Sequence, residues 1–164
     1  MNRSLRTGVL LGLVLTATLL LTVGIFVIRG ARQFVSSSTW VEHTHDVLTA
    51  LEHVYATVKD VEADQRGYLL TGRLELEQEY LANLPAARAA AAAVAKLVAE
   101  NPEQSARAAQ LQELVEKRLQ ASLETYTTYK TDGFDQARTK VVGGPGIGLM
   151  LQIRDLHKTM ATQE

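Results

Sequence analysis

A polar cluster interrupts a long apolar stripe, and it holds the residues best suited to chemistry. Apolar residues recur at three- and four-residue spacing over Val47–Val61, and continuing that spacing runs into polar positions. Arg66 follows Glu62 by four positions, so the two can pair along a helix. Two interpretations stay open, a satisfied polar layer near a helix end and a layer that contacts a ligand or responds to a signal. The cluster consists of Glu62, Gln65, Arg66, Gly67 and Tyr68.

A glycine-rich segment is the second candidate. It lacks the Gly-Lys-Ser/Thr ending of a phosphate-binding loop and follows no predicted strand, so a nucleotide site is not indicated. Pro145 has no backbone donor, and its ring clashes with the carbonyl four residues earlier. We therefore predict a kink or break between Val142 and Leu149, with a hinge formed by Gly143, Gly144, Pro145 and Gly146.

Other arrangements that support catalysis or metal binding are missing from the sequence. His43 and His45 are two apart, which places them on different faces of a helix. Cysteine is absent, no His-Glu-x-x-His occurs, and no spacing points to a nucleophilic triad. The formal net charge of -1, without a basic stripe, argues against nucleic acid. We expect no catalytic residue, no metal, no cofactor and no enzymatic activity.

The elements that carry these residues are helices. Thr71-Gly72 predicts the end of the first helix, Asn101-Pro102 the start of the third, and Asp132-Gly133 the turn before the fourth. No stretch alternates at period two over the length of a strand. The sequence predicts an all-α protein with an antiparallel four-helix bundle. The second helix should bury Leu74, Tyr80, Leu81, Leu84, Ala87, Ala91, Val94 and Val98, and should leave Glu75, Glu77 and Glu79 on a solvated face.

An uncharged N-terminal segment predicts a transmembrane helix. Gly8 to Ile28 carries no charge, and at ~1.5 Å per residue it spans roughly the 30 Å of a bilayer core. A cleaved signal peptide is the alternative, but the run is longer than ~7–15 residues and no small-residue cleavage site follows. The short basic tail favours a cytoplasmic N-terminus. We predict a cytoplasmic tail over 1–7, a transmembrane helix over 8–29 and an extracytoplasmic helical domain over 30–164.

Three motifs resemble a known family. They are Trp40-Val41-Glu42-His43-Thr44, Val61-Glu62-Ala63-Asp64-Gln65 and, most specific, Arg66-Gly67-Tyr68-Leu69-Leu70-Thr71-Gly72. Together they resemble the third class of CHASE domains, extracellular sensory domains of histidine kinases, cyclases and chemotaxis receptors. The resemblance covers roughly Val35 to Met160. The ligands of that family are largely undefined, so no binding role is transferred to any residue.

The resemblance implies a function in signalling. It implies an input domain in the inner membrane of a bacterium, periplasmic or extracellular in its bulk, that passes a stimulus through membrane helices to a cytoplasmic module such as a histidine kinase. It also implies a parallel homodimer, contact with the lipid bilayer and an unknown small-molecule or protein ligand. Family members usually continue into a second membrane helix and an output domain, whereas this chain stops at Glu164. The alternative is an anchored helical bundle that acts as an adaptor or scaffold for a partner protein.

Overall fold

The protein is all-α. The computed structural model describes the backbone of residues 3–163 and the side chains of residues 12, 13, 15–27 and 41–163. Over this part of the chain there is no strand, as predicted. The helices are α1 (Arg3–Thr71), α2 (Leu74–Leu97), α3 (Pro102–Asp132), α4 (Phe134–Gly143) and α5 (Gly146–Ala161).

The first of two compact units covers residues 1–42 and is helical from Arg3 onward. Its apolar side chains are exposed wherever they are described, with Phe26 the most exposed of them. Thr16 and Thr22 donate their hydroxyls to carbonyls four residues earlier, each at 2.8 Å. Within the described residues, no helix is both long enough and apolar enough to cross a membrane. The transmembrane helix predicted over 8–29 stays a prediction, and the side chains of 8–11, 14 and 28–29 lie outside the described part.

The second unit, residues 43–164, is a helical bundle with one apolar core. The C-terminal part of α1 supplies the predicted stripe, and α2, α3 and α5 each add one face. The alanine-rich middle of α2 buries Ala87, Ala90 and Ala91, whose small side chains permit close approach of neighbouring helices. The largest fully buried side chains are Tyr80, Leu51, Leu111, Leu119, Ile153 and Met160.

Neighbouring helices of the bundle run antiparallel. As residue numbers rise along one helix, the numbers of the residues opposite them on the neighbouring helix fall. The adjacent pairs are Gly67–Leu76 and Asp64–Asn83 between α1 and α2, Tyr80–Ser122 and Arg88–Glu116 between α2 and α3, and Arg118–Gly146 and Gln104–Met160 between α3 and α5. The Arg88–Glu116 pair is bidentate, at 2.7 and 3.1 Å.

The turns form where the sequence predicts them. Gly72 and Gly133 have φ of +66° and +86°, a region that favours glycine because it has no Cβ. Asn101 caps α3, since its side-chain oxygen accepts from the amides of Glu103 and Gln104 at 3.1 and 3.2 Å. Pro102 occupies the first turn of α3, where no backbone donor is needed.

Two apolar positions in α2 differ from the prediction. Leu74 and Leu81 are exposed rather than buried. The buried face of α2 is set by Tyr80, Leu84 and residues that follow at helical spacing, and Leu81 lies one position, or about 100°, away from Tyr80 on the helix. Leu74 lies in the first turn, away from the same face, and remains in solvent.

Candidate functional site

The two candidate clusters of the sequence meet at one cavity. Glu62, Gln65 and Arg66 approach it from α1, Arg118 approaches from α3, and the 144–146 break between α4 and α5 closes it. Its volume is about 200 Å³. Arg66 of the polar cluster and Gly144 of the glycine-rich break are 78 positions apart in the sequence, yet both line this one cavity.

Glu62 is shared by two arginines. Its Oε1 pairs with Arg66 one helical turn away and lies 3.7 Å from Nη2 of Arg118. The Glu62 side chain is 15% exposed and that of Arg66 is 50% exposed. The α1 pair therefore sits at the rim of the bundle, and the Glu62–Arg118 pair lies inside it.

Arg118 is the functional candidate that the sequence did not reveal. It occupies a core position of α3 and is only 5% exposed. Burial lowers the pKa of its guanidinium, an effect that the carboxylate of Glu62 opposes. Its Nε is buried without a hydrogen-bond partner, and leaving such a donor unsatisfied costs about 1–3 kcal/mol. A Cβ placed on Gly146 would lie 3.7 Å from the Arg118 Cζ, so glycine brings the start of α5 over the guanidinium.

Gln65 is satisfied by the bundle itself. It is buried, and its side-chain amide donates to the backbone carbonyl of Ser122 in α3. The Ser122 hydroxyl donates in turn to the Tyr80 hydroxyl at 3.3 Å. Burial raises the pKa of Tyr80 above its ordinary value. At Gln65, the satisfied polar layer is therefore the better description.

Gly67 and Tyr68 face away from the cavity. A Cβ on Gly67 would come within 2.8 Å of the Leu76 Cδ1, so this glycine lets α2 approach the end of α1. Tyr68 is buried, and its ring contacts those of Tyr126 and Tyr129 with centroids 6.0 and 5.3 Å away. These two residues serve the helix contacts beside the cavity and do not line it.

A second polar network surrounds Glu77. Its Oε1 accepts from the Tyr126 hydroxyl at 2.6 Å and from Nζ of Lys130 at 3.0 Å, and Lys130 also donates to the Tyr68 hydroxyl at 3.1 Å. The hydrogen bond from Tyr126, followed by that from Lys130, lowers the pKa of Glu77. The same contact with Glu77 raises the pKa of Tyr126 to about 12 and raises that of Lys130. The prediction of a solvated face is wrong for Glu77 because two residues of α3 reach it.

The predicted break in the fourth helix is confirmed. α4 ends at Gly143 and α5 begins at Gly146. A Cβ on Gly144 would lie 2.3 Å from the carbonyl oxygen of Lys140, so any other residue there would force the backbone to shift. Whether Gly143, Gly144, Pro145 and Gly146 act as a hinge stays a prediction.

No candidate metal site is present in the described part of the chain, because no three histidine, aspartate or glutamate side chains there lie close enough together to hold an ion. His43 and His45 are both exposed on α1. The residues that the sequence missed are Arg118 and Lys130. The one feature of the sequence that could have identified Arg118 is its charged side chain at a core-facing position of α3. Nothing in the sequence near Lys130 indicates its contact with Glu77.

Comparison with known proteins gives a family. A model described as the CHASE3 domain matches residues 37–164, which is most of the chain. No curated protein and no solved structure gives a match. The matched region contains the whole bundle and the cavity. The chain therefore belongs to the CHASE3 family of extracellular sensory domains, as the motif around Arg66 and Gly72 indicated.

Proposed function

We propose that this chain is the membrane-anchored, extracytoplasmic input domain of a bacterial receptor, and that it relays a stimulus to a cytoplasmic output module such as a histidine kinase. Membership in a family of sensory domains supports a role in sensing. The observation that carries the proposal is the cavity of about 200 Å³, which contains a buried arginine whose Nε has no partner. We assign ligand binding to this cavity and no catalytic role to any residue.

The N-terminal segment supports the anchor. Gly8 to Ile28 is uncharged, and the apolar side chains described within it are exposed. Thr16 and Thr22 bond to the carbonyls of their own helix, so neither hydroxyl needs water. A helix can enter hydrocarbon only when its polar groups are satisfied internally. Residues 8–29 would then be the anchor, residues 1–7 would be cytoplasmic, and residues 30–164 would be outside.

The bundle suggests how a bound ligand is reported. The cavity lies between α1 and the start of α5. At the other end of α5, the His157 ring stacks on Tyr55 of α1 with centroids 5.4 Å apart, and its Nε2 is 3.3 Å from Glu52. A ligand that moves the start of α5 therefore changes its packing on α1, the helix that leads to the anchor. A parallel homodimer would carry that change across the bilayer.

Reporter fusions test the anchor and its orientation. Alkaline phosphatase joined after Glu164 of the full chain should be active, because it folds only outside the cytoplasm, and a cytoplasmic reporter at the same place should be silent. Deleting residues 8–29 should abolish the phosphatase signal. The reverse pattern of reporter activity would reject the extracytoplasmic assignment.

A chimera tests the sensory role against a scaffold. The full chain would be joined after Glu164 to the membrane helix and kinase module of a histidine kinase. Kinase output should change when Arg118 is replaced by Lys, and should not change when Gly148, which has open space around it, is replaced by Ala. Equal output from both variants and the parent would favour an adaptor that binds a partner without signalling.

A further inference from the structure

We propose that the cavity between α1, α3 and the start of α5 binds a small oxyanion, a carboxylate or phosphate group held by the Arg118 guanidinium and the backbone amides of Gly146 and Ile147, the two α5 residues that line the cavity. This assignment rests on the proposed sensory function and names the chemical class of the ligand. It follows from the charge, the unpartnered donors and the size of the cavity.

Positive charge exceeds negative charge around the cavity. Glu62 is the carboxylate nearest to both Arg66 and Arg118, so one carboxylate serves two guanidinium groups. Lys140 and Glu124 also line the cavity, and neither has an ion pair among the described residues. The lining therefore holds three cationic and two anionic side chains, and an entering anion would balance the excess.

Two sets of unpartnered donors belong to residues that line the cavity. Arg118 is 95% buried, given its exposed fraction of 5%, and its Nε has no hydrogen-bond partner. The first amides of a helix have no partners within the helix. Pro145, which precedes α5, offers no side chain that could cap them. A Cβ on Gly146 would lie 3.7–3.9 Å from the guanidinium atoms, so the start of α5 lies close to Arg118.

The donors match an oxyanion better than another ligand. A guanidinium presents two parallel N–H groups, which fit the two oxygens of a carboxylate or phosphate. A helix N-terminus adds further N–H donors and a favourable dipole for negative charge. A metal ion would be repelled by the same groups. An apolar ligand would leave the Nε of Arg118 without a partner.

The size of the cavity limits the ligand. Its volume of about 200 Å³ is below the roughly 300–1,000 Å³ of typical ligand pockets, so a small ligand fits it better than a large one. Inorganic phosphate and malonate are of this size. A nucleotide is larger than either anion, so the size of the cavity favours a small oxyanion over a nucleotide.

Titration calorimetry on the full chain in detergent micelles tests the site. Sodium malonate and sodium phosphate would be titrated separately, against sodium chloride at the same ionic strength. At least one of the two should bind saturably with one site per chain, and chloride should not. Binding of malonate alone would identify a carboxylate ligand, binding of phosphate alone would identify a phosphate ligand, and both would identify a general oxyanion site.

Two glycine variants locate the binding. Gly146→Ala places a methyl group 3.9 Å from Nε of Arg118, at ordinary contact distance, so the fold is kept and the approach to the guanidinium is blocked. We expect about tenfold weaker binding or more, since the charge-assisted bond is lost. The matched control is Gly148→Ala, in the same first turn of α5, where an added Cβ meets nothing within 4 Å. Its affinity should equal that of the parent.

Arg118→Lys keeps the positive charge but removes the two parallel N–H groups of the guanidinium. It should therefore also weaken anion binding by about tenfold. Circular dichroism melting would verify that each variant is folded. If Arg118→Lys does not fold, the affinity of Gly146→Ala alone tests where the anion binds.

The proposal is overturned if neither anion binds more than chloride, or if Gly146→Ala and Gly148→Ala bind equally well. Anion binding with reversed reporter fusions would reject the proposed function alone, and absence of binding with the expected fusions would reject the oxyanion site alone.

Discussion

At the scale of single residues, the arrangement of Glu62 decides how stable the site is without a ligand. Its carboxylate faces a half-exposed arginine on its own helix and a buried arginine on α3. Exposed pairs contribute little because water screens them. A buried charge that loses its partner is strongly destabilising. The two arginines should therefore couple to Glu62 with very different free energies.

Double-mutant cycles measure this difference. We expect Glu62→Gln and Arg118→Met to couple by about 2 kcal/mol, because each single change leaves the other group in the bundle with less compensation. Glu62→Gln and Arg66→Met should couple by about 0.5 kcal/mol, as for other pairs four apart on a helix. Urea denaturation of the full chain, followed by circular dichroism, gives the free energies of unfolding. Equal coupling in both cycles would contradict this description of the site.

Glu77 should make the bundle sensitive to acid. Its pKa is lowered by Tyr126 and Lys130, so the folded state holds its carboxylate charged more strongly than the unfolded state does. The resulting stability is present above the ordinary glutamate pKa of ~4.3 and is lost as the pH falls through the lower, folded value.

The variant Glu77→Gln should therefore lose less stability than the parent between neutral pH and about pH 3. The urea midpoint measured across that range gives the comparison. Glu79→Gln is the control, because Glu79 is exposed on the same helix and should follow the parent. A parallel decline for parent and Glu77→Gln would show that Tyr126 and Lys130 do not favour the charged form.

At the scale of elements, the break between α4 and α5 depends on one glycine. The Gly144→Ala variant would place Cβ 2.3 Å from a backbone oxygen that cannot rotate away, so the loop must shift, at about 1–3 kcal/mol. Gly143→Ala, one residue earlier, adds a Cβ with nothing within 4 Å and should be neutral or slightly stabilising, since alanine favours the helix. Thermal melting would compare the two. Similar losses in both variants would show that the break tolerates no change at either position.

Local patterns account for what the sequence could predict at this scale. The stripe of α1, the cap at Asn101 and the turns at Gly72 and Gly133 depend on neighbours within four residues, which a sequence displays. The meeting of Glu62 with Arg118 depends on α1 and α3, which run parallel, facing each other across the core, and the contact of Glu77 with Lys130 depends on α2 and α3 being adjacent. Such pairs are separated by more than 50 residues, and no local spacing encodes them. The sequence therefore yields the two halves of the cavity without showing that they join.

At the scale of the whole molecule, association is the property that the proposed relay requires. The chain has no cysteine, so a single introduced thiol reports one contact. Val41→Cys lies on an exposed position of α1 just before the bundle. If two chains align in parallel along α1, oxidation should link Val41→Cys chains into dimers on a denaturing gel.

The control is Lys117→Cys, at an exposed position in the middle of α3. It should give few dimers if two chains pair along α1, because Lys117 lies on the exposed face of a different helix, α3. Cross-linking from Lys117→Cys that equals or exceeds that from Val41→Cys would contradict a parallel homodimer along α1.

The antiparallel order of α1 and α5 also fixes how the bundle responds to force. The last turns of α5 lie beside Tyr55 and Glu52, at the end of the bundle where α1 enters it. We expect tension between these two neighbouring ends to separate α5 from α1 one turn at a time, because the load falls first on the contacts nearest those ends. The His157–Tyr55 stack would yield first, and the cavity, about ten residues or roughly 15 Å further along α1, would open last. In a bundle loaded in this way, the contacts around Arg118 would be the last part of the α5 interface to separate.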